Sequence, residues 1–244
     1  MRSRRSTLLV LIASARSLVA QTPPSDARQL HDVIVQVFAA RTTRPLPVGD
    51  TLISWYKTPV LFHTVQRSPG AVASGMVRVD STVGLARVLV DSGSVTSFEV
   101  HWTRGDSILV DLRGETRAGA IIELTGTKTG PLRAPLAIWG VADYGMEDQL
   151  LPILEGSPAR REPVVVAVYR PFAGKWDTLT VTKRAVDDGW LYELRSTNGK
   201  RDWWLVSAEG ILVQLLREGQ DYERRPLEGT SAAREYLRLV ALKH

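Results

Sequence analysis

The feature that most constrains this chain is a period-two alternation of apolar and polar residues through its interior. Phe98, Val100 and Trp102 alternate with Glu99, His101 and Thr103, and Ile53 and Trp55 with Ser54 and Tyr56. Successive side chains of a strand point to opposite faces, so this pattern builds sheets with one covered and one wet face. Turn signals punctuate it at Ser68-Pro69-Gly70, Asp91-Ser92-Gly93, Arg104-Gly105-Asp106 and Arg113-Gly114-Glu115. Short strands so spaced predict an antiparallel meander over 50–125. A second meander is expected over 163–218, with strands at 164–169, 176–183, 189–196, 200–207 and 211–217. Asn198-Gly199 lies between two of them and reads as a two-residue hairpin turn, because both positions tolerate positive φ.

Three segments break the pattern. Ser25 or Asp26 can cap a helix in which Leu30, Val33, Ile34, Val37 and Phe38 recur at spacings of three and four. A C-terminal helix is expected from Ser231, with Tyr236, Leu239 and Val240 on one side. Between the meanders, 126–156 reads as a Gly- and Pro-rich loop followed by a short helix over 143–154. There Asp143 is the expected cap, Met146, Leu150 and Leu151 share a face, and Pro152 limits the length to about two turns. No strand–helix–strand alternation calls for a parallel sheet. The expected fold is mainly β: an antiparallel meander forming a curved sheet or open half-barrel, with N-terminal, C-terminal and short central helices, in one domain over 21–244.

The formal net charge of +5 is misleading. Arg2, Arg4, Arg5 and Arg16 fall in the first 20 residues, which hold no acid, and without them the remaining chain is nearly neutral. Electrostatic attraction to nucleic acid is therefore not expected. The same 20 residues read as a secretory signal peptide, with an arginine-rich start, the apolar run Thr7–Ala13 and Ala20 before the cut. That predicts a periplasmic or secreted protein. No apolar run of transmembrane length occurs, and the absence of Cys removes disulfides, thiol nucleophiles and Cys-ligated metals.

Catalytic motifs are scarce. There is no G-x-S-x-G elbow and no phosphate-binding glycine loop. Ser54-Trp55-Tyr56-Lys57 and Lys128-Thr129-Gly130 match parts of a penicillin-binding site, but Ser54 sits in a strand where that chemistry needs a helix start. His31, His63, His101 and His244 show no metal-ligand spacing, so neither a metal nor another cofactor is expected. Asp143 and Glu147 stand four apart, which suits an acid–base pair or, more simply, a helix start. A hydrolase with a dispersed site at His63, His101 or Asp143 is a third-ranked expectation.

Seven Trp remain to be explained. Trp190, Tyr192 and Leu194 share one face of a strand; Trp203 and Leu205 share a face of the next, with Trp204 and Val206 on the other. Aromatic residues on such faces either fill a core or line an apolar cavity. The expected ligand-binding residues are Trp55, Phe98, Trp102, Trp190, Tyr192 and Trp203, around a lipid or acyl chain.

The order of a signal peptide, an amphipathic helix, a meander, a short helical interruption and a second meander resembles the periplasmic lipoprotein-carrier superfamily. The run from Asn198-Gly199 through Trp203-Trp204 to Glu209-Gly210 also looks like the terminal hairpin of uncharacterised bacterial envelope proteins. The resemblance implies a curved, unclosed barrel lidded by helices that holds acyl chains, and it assigns no functional residue. The leading expectation is an exported protein that binds a hydrophobic ligand without catalysis. The alternative is a structural or interaction module of the envelope, contacting a protein partner.

Overall fold

The computed structural model describes residues 52–226, with short interruptions at 58–60, 79–81, 118–119, 144–145 and 157–162 and at positions 209, 211, 219 and 224. The expected signal peptide and the helices at 25–41 and 231–242 lie outside the described residues. No helix among the described residues is long and apolar enough to cross a membrane.

The first meander supplies β1 (Leu52–Lys57), β2 (Leu61–Ser68), β3 (Ala71–Arg78), β4 (Thr82–Asp91), β5 (Ser94–Arg104), β6 (Ser107–Arg117), β7 (Ile121–Gly126) and β8 (Gly130–Arg133). Then come β9 (Trp139–Val141), a 3-10 turn (Glu147–Leu150) and α1 (Leu151–Gly156). The second supplies β10 (Val164–Arg170), β11 (Lys175–Val186), β12 (Gly189–Ser196), β13 (Arg201–Ser207), β14 (Leu212–Arg217), β15 (Gln220–Glu223) and β16 (Arg225–Pro226). They form a nine-stranded sheet in the order β16-β1-β2-β3-β4-β5-β6-β7-β8 and a seven-stranded sheet in the order β15-β14-β13-β12-β11-β10-β9. Since β15 pairs with β14 and β16 with β1, the last described stretch, 220–226, ties the two sheet edges together.

Two expectations are corrected here. The stretch expected as loop beyond Thr125 contains β8, paired antiparallel with β7, because the Gly126 and Gly130 backbones turn tightly around 127–129. The sheets are also not antiparallel throughout: β9 and β10 pair in parallel, and the chain between them carries the helix. A parallel pair needs such a crossover, since its strands run the same way.

The register of the first sheet puts Val88, Phe98, Gly114 and Leu124 in one cross-strand row on its inner face. Gly114 is there because the Phe98 ring lies over it: a Cβ would come within 2.2 Å of that ring and 2.9 Å of Ile122. Gly114→Ala is expected to cost about 1–3 kcal/mol by overpacking, read as a lower urea midpoint with an unchanged slope. A midpoint equal to that of the unaltered chain would show that Phe98 has room to move.

The space between the sheets is filled partly by direct contact, as between Phe98 and Tyr169 and between Trp102 and Phe172, and partly by the helical segment. Met146 and Ile153 pack with the inner face of the nine-stranded sheet, in one cluster with Phe98, Trp102, Trp139 and Tyr169. Leu150, Leu151 and Leu154 pack with Val181, Tyr192, Leu194 and Trp204 of the other sheet. A helix this short has no stability of its own, so burial of these side chains is what holds it. Pro152 falls in the first turn of α1, where its missing N–H costs nothing. It therefore sits in the opening turn of an α-helix that runs on past it to Gly156, so it is not what limits the helix to its short length.

Candidate functional site

The segment between the sheets is unusual for its polar content. Asp143, Glu147, Asp148 and Gln149 are all at most 4 % exposed, within an apolar interior. Buried carboxylates need partners, and each comes from a different part of the fold. The Asp143 carboxylate accepts hydrogen bonds from Trp102 Nε1 on β5 at 3.1 Å and from the Phe172 backbone N–H in the β10–β11 turn at 3.0 Å. It caps no helix: the residue before the 3-10 turn is Met146, with no side-chain cap. The expected capping role of Asp143 is corrected, because its carboxyl serves as a tie between the two sheets.

Glu147 Oε1 takes Arg217 Nη2 at 2.9 Å, and the same guanidinium grips Asp202 at 2.9 and 3.1 Å. Burial works against the Arg217 charge, but Glu147 and Asp202 outweigh it and hold the guanidinium above its ordinary pKa. Asp148 Oδ2 lies 3.7 Å from His63 Nδ1 on β2. Arg170 donates to the Ala142 carbonyl at 2.7 Å and to Asp177 at 3.1 Å. Burial pushes the Asp143 carboxyl up to about 6, against the lowering effects of the Phe172 N–H, Arg170 and Trp102. The short segment is thus pinned to both sheets by polar contacts.

Four buried polar side chains around it have no hydrogen-bond partner among the described residues. They are Ser74 of β3, Gln149 of the 3-10 turn, Tyr192 of β12 and Trp204 of β13. Orphaned groups this deep are rare, and each calls for a physical reason.

The structure brings four of the expected ligand-binding residues to the interior. Phe98 and Trp102 lie on the inner face of the nine-stranded sheet, and Trp190 and Tyr192 on that of the other. Trp55 lies on β1, and its side chain lies outside the described residues. Trp203 is separated from this group. It pairs with Glu193 and Leu216 on the outer face, while Trp204 pairs with Tyr192 inside.

The cause is one residue of loop. A two-residue Asn198-Gly199 turn would oppose Tyr192 to Leu205 and bring Trp203 to the inner face. The observed loop is Thr197-Asn198-Gly199, closed by Ser196 N–H donating to the Lys200 carbonyl, with Gly199 at φ +85°. This is a three-residue loop ending in a left-handed glycine. A one-residue change in register reverses every side chain of the strand.

The residues of the hydrolase expectation do not converge. His63 is buried beside Asp148, and His101 sits on the outer face of β5, 3.5 Å from Asp111. Asp143 meets neither ring in the contacts described above. No group of three His, Asp or Glu suited to a metal ion occurs among the described residues. Outside, β4 to β7 carry a charged ladder around a hollow of about 290 Å³ lined by Arg87, Glu99, Arg113, Glu115, Arg117 and Glu123.

No family model matches the chain, and no curated protein matches it. Two solved structures are similar. One is a DUF1089 family protein from Pseudomonas aeruginosa, with a TM-score of 0.48 and 13% identity over 73% of this chain and 95% of that one. The other is a beta-barrel-like protein of the domain of unknown function DUF1849 from Brucella abortus, with a TM-score of 0.44 and 11% identity over 72% of this chain and 97% of that one.

Proposed function

We propose that this is an exported, non-catalytic protein of the cell envelope that shelters an apolar ligand, a lipid or acyl chain, between its two sheets. The observation that carries the reading is the nature of what fills that space. Beside the places where the two sheets touch directly, their aromatic and aliphatic faces are separated by a short segment in which one polar side chain has no partner and one carboxyl is strongly desolvated. Gln149 lies fully buried with both polar atoms unpartnered. Asp143 is desolvated enough to raise its pKa to about 6. A segment that fills apolar space at such cost is a plug that a better filler can displace.

The magnitudes allow it. The plug buries five apolar side chains, Met146, Leu150, Leu151, Ile153 and Leu154, worth about 8–15 kcal/mol together. An acyl chain of about fourteen methylenes at about 0.8 kcal/mol each is of the same order. Displacement would leave Phe98, Trp102, Trp190 and Tyr192 facing the ligand. The signal peptide read from the first 20 residues supports export.

Native mass spectrometry of the protein recovered from a bacterial periplasm tests this. The expected result is a stoichiometric adduct of lipid mass. A bare chain, under conditions that keep a known lipid carrier loaded, sinks the proposal.

The second reading, a protein-interaction module, is favoured by the charged hollow on the outer face. Its signature is a stoichiometric protein partner in place of a lipid, released when Arg113 and Arg117 are both changed to Glu.

A further inference from the structure

Inside the seven-stranded sheet, one cross-strand row holds three hydrogen-bond donors side by side. Lys183 of β11 pairs with Tyr192 of β12, and Tyr192 pairs with Trp204 of β13. Directly opposed residues of antiparallel strands present their side chains on the same face, so Lys183, Tyr192 and Trp204 share the inner face, where Tyr192 and Trp204 pack in one cluster with Leu150, Leu151 and Leu154 of the plug. Tyr192 and Trp204 are each 1% exposed, and neither Tyr192 Oη nor Trp204 Nε1 has a partner among the described residues. Lys183 Nζ lies 4.1 Å from the centre of the Trp190 ring and 5.3 Å from that of Tyr192. The neighbouring carboxylate, Glu155, is held by Arg67.

A core built only for stability would place Phe or Leu at these positions, because an unpartnered buried donor is a net loss. A row that ends in an indole N–H and a phenol, with an ammonium beside them, needs an acceptor carrying negative charge. The rest of the same cluster is aliphatic, with Leu150, Leu151, Leu154, Val181 and Leu215. One polar row in an apolar wall matches a molecule with one anionic end and one apolar body. Desolvation keeps the Tyr192 phenol well above its ordinary pKa, so it remains a donor.

We infer that the sheltered ligand is a long-chain monocarboxylate, its carboxylate received by Lys183, Tyr192 and Trp204 and its chain lying where the plug now packs. This rests on the proposed apolar-ligand function and names the chemistry of its polar end.

The test is titration of the full chain with palmitate, and in parallel with methyl palmitate and hexadecanol, followed by intrinsic Trp fluorescence and native mass spectrometry. The unaltered protein is expected to bind palmitate at one per chain and at least tenfold more tightly than the ester or the alcohol. Tyr192→Phe and Lys183→Met should each weaken palmitate at least tenfold and leave the ester unchanged. Tyr192→Phe removes a hydroxyl with no partner, so its melting temperature should not fall, which separates recognition from folding. If ester and acid bind alike, or if both variants hold palmitate normally, carboxylate recognition is wrong while the apolar-ligand reading stands. If none of the three probes binds, both fall.

Discussion

Arg217→Met is expected to lower the stability of the fold by about 3–5 kcal/mol, the loss seen when one member of a buried ion pair is removed. The guanidinium joins the seven-stranded sheet, through Asp202 on the neighbouring strand, to Glu147 of the plug. Glu147 is only 3% exposed at its side chain, so without Arg217 its charge has little water to turn to. It must either bear the desolvation or take up a proton. The effect is not a measure of what the pair contributes overall, because desolvating all three groups offset much of their attraction when the chain folded. The sharper test is therefore the combination of Arg217→Met with Glu147→Gln. The double variant should recover more than half of the single variant's loss in a urea unfolding series. Losses that simply add would show that Glu147 does not depend on Arg217.

The second large effect concerns Asp143. Its carboxyl titrates at about 6 in the fold against an ordinary value of 3.8, chiefly because it is buried. An acid whose pKa is raised by folding binds its proton more tightly when folded. Its contribution to stability is therefore greatest below about pH 4, declines as pH rises from 4 to 6, and stays low above that. A shift of this size corresponds to about 3 kcal/mol. Other buried groups titrate as well, so the diagnostic quantity is the difference from Asp143→Asn. The amide keeps an acceptor for Trp102 Nε1 and the Phe172 N–H but carries no charge. The variant should be the more stable protein at pH 7.5, with the gap closing as pH is lowered to 4. A gap independent of pH would mean that the carboxyl does not change charge in that range.

These two residues also show where sequence reasoning stops. In the sequence Asp143 and Glu147 are two acids at helical spacing, and a helix start is the economical account of them. The local pattern holds no trace of Trp102, Phe172 or Arg217, whose contacts with them are made across 29 to 70 residues of chain. The same limit applies to the aromatic rows. Period two identified Tyr192 and Trp190 as sharing a face, but Trp203 and Trp204 are adjacent, and only the hairpin length decides which turns inward. Asn-Gly occurs in loops of two or three residues, so the dipeptide marks the turn without setting its register. A three-residue loop opposes Tyr192 to Trp204, and a two-residue loop would oppose it to Leu205.

Two strands are hard to read in the sequence for a related reason. β4, Thr82–Asp91, is buried on both faces for most of its length, so its residues do not alternate. β8 is four residues of Gly, Pro, Leu and Arg, a composition that reads as loop. Pairing with β7 makes it a strand, and pairing is a property of the neighbour.

By itself the sequence determined which residues could share a face, where the chain must turn, and that its one interior helix would be short. Those outcomes depend on backbone sterics, side-chain periodicity and the special freedom of Gly and Pro, all of which act within a few residues. Tertiary structure alone decided that the helix lies between the sheets, that its acids are held by groups from both of them, and that two buried donors, Tyr192 Oη and Trp204 Nε1, lie in that interior without acceptors among the described residues. Those outcomes depend on burial and charge pairing between segments far apart in the chain. Such energies do not exist until the sheets have closed around the segment they hold.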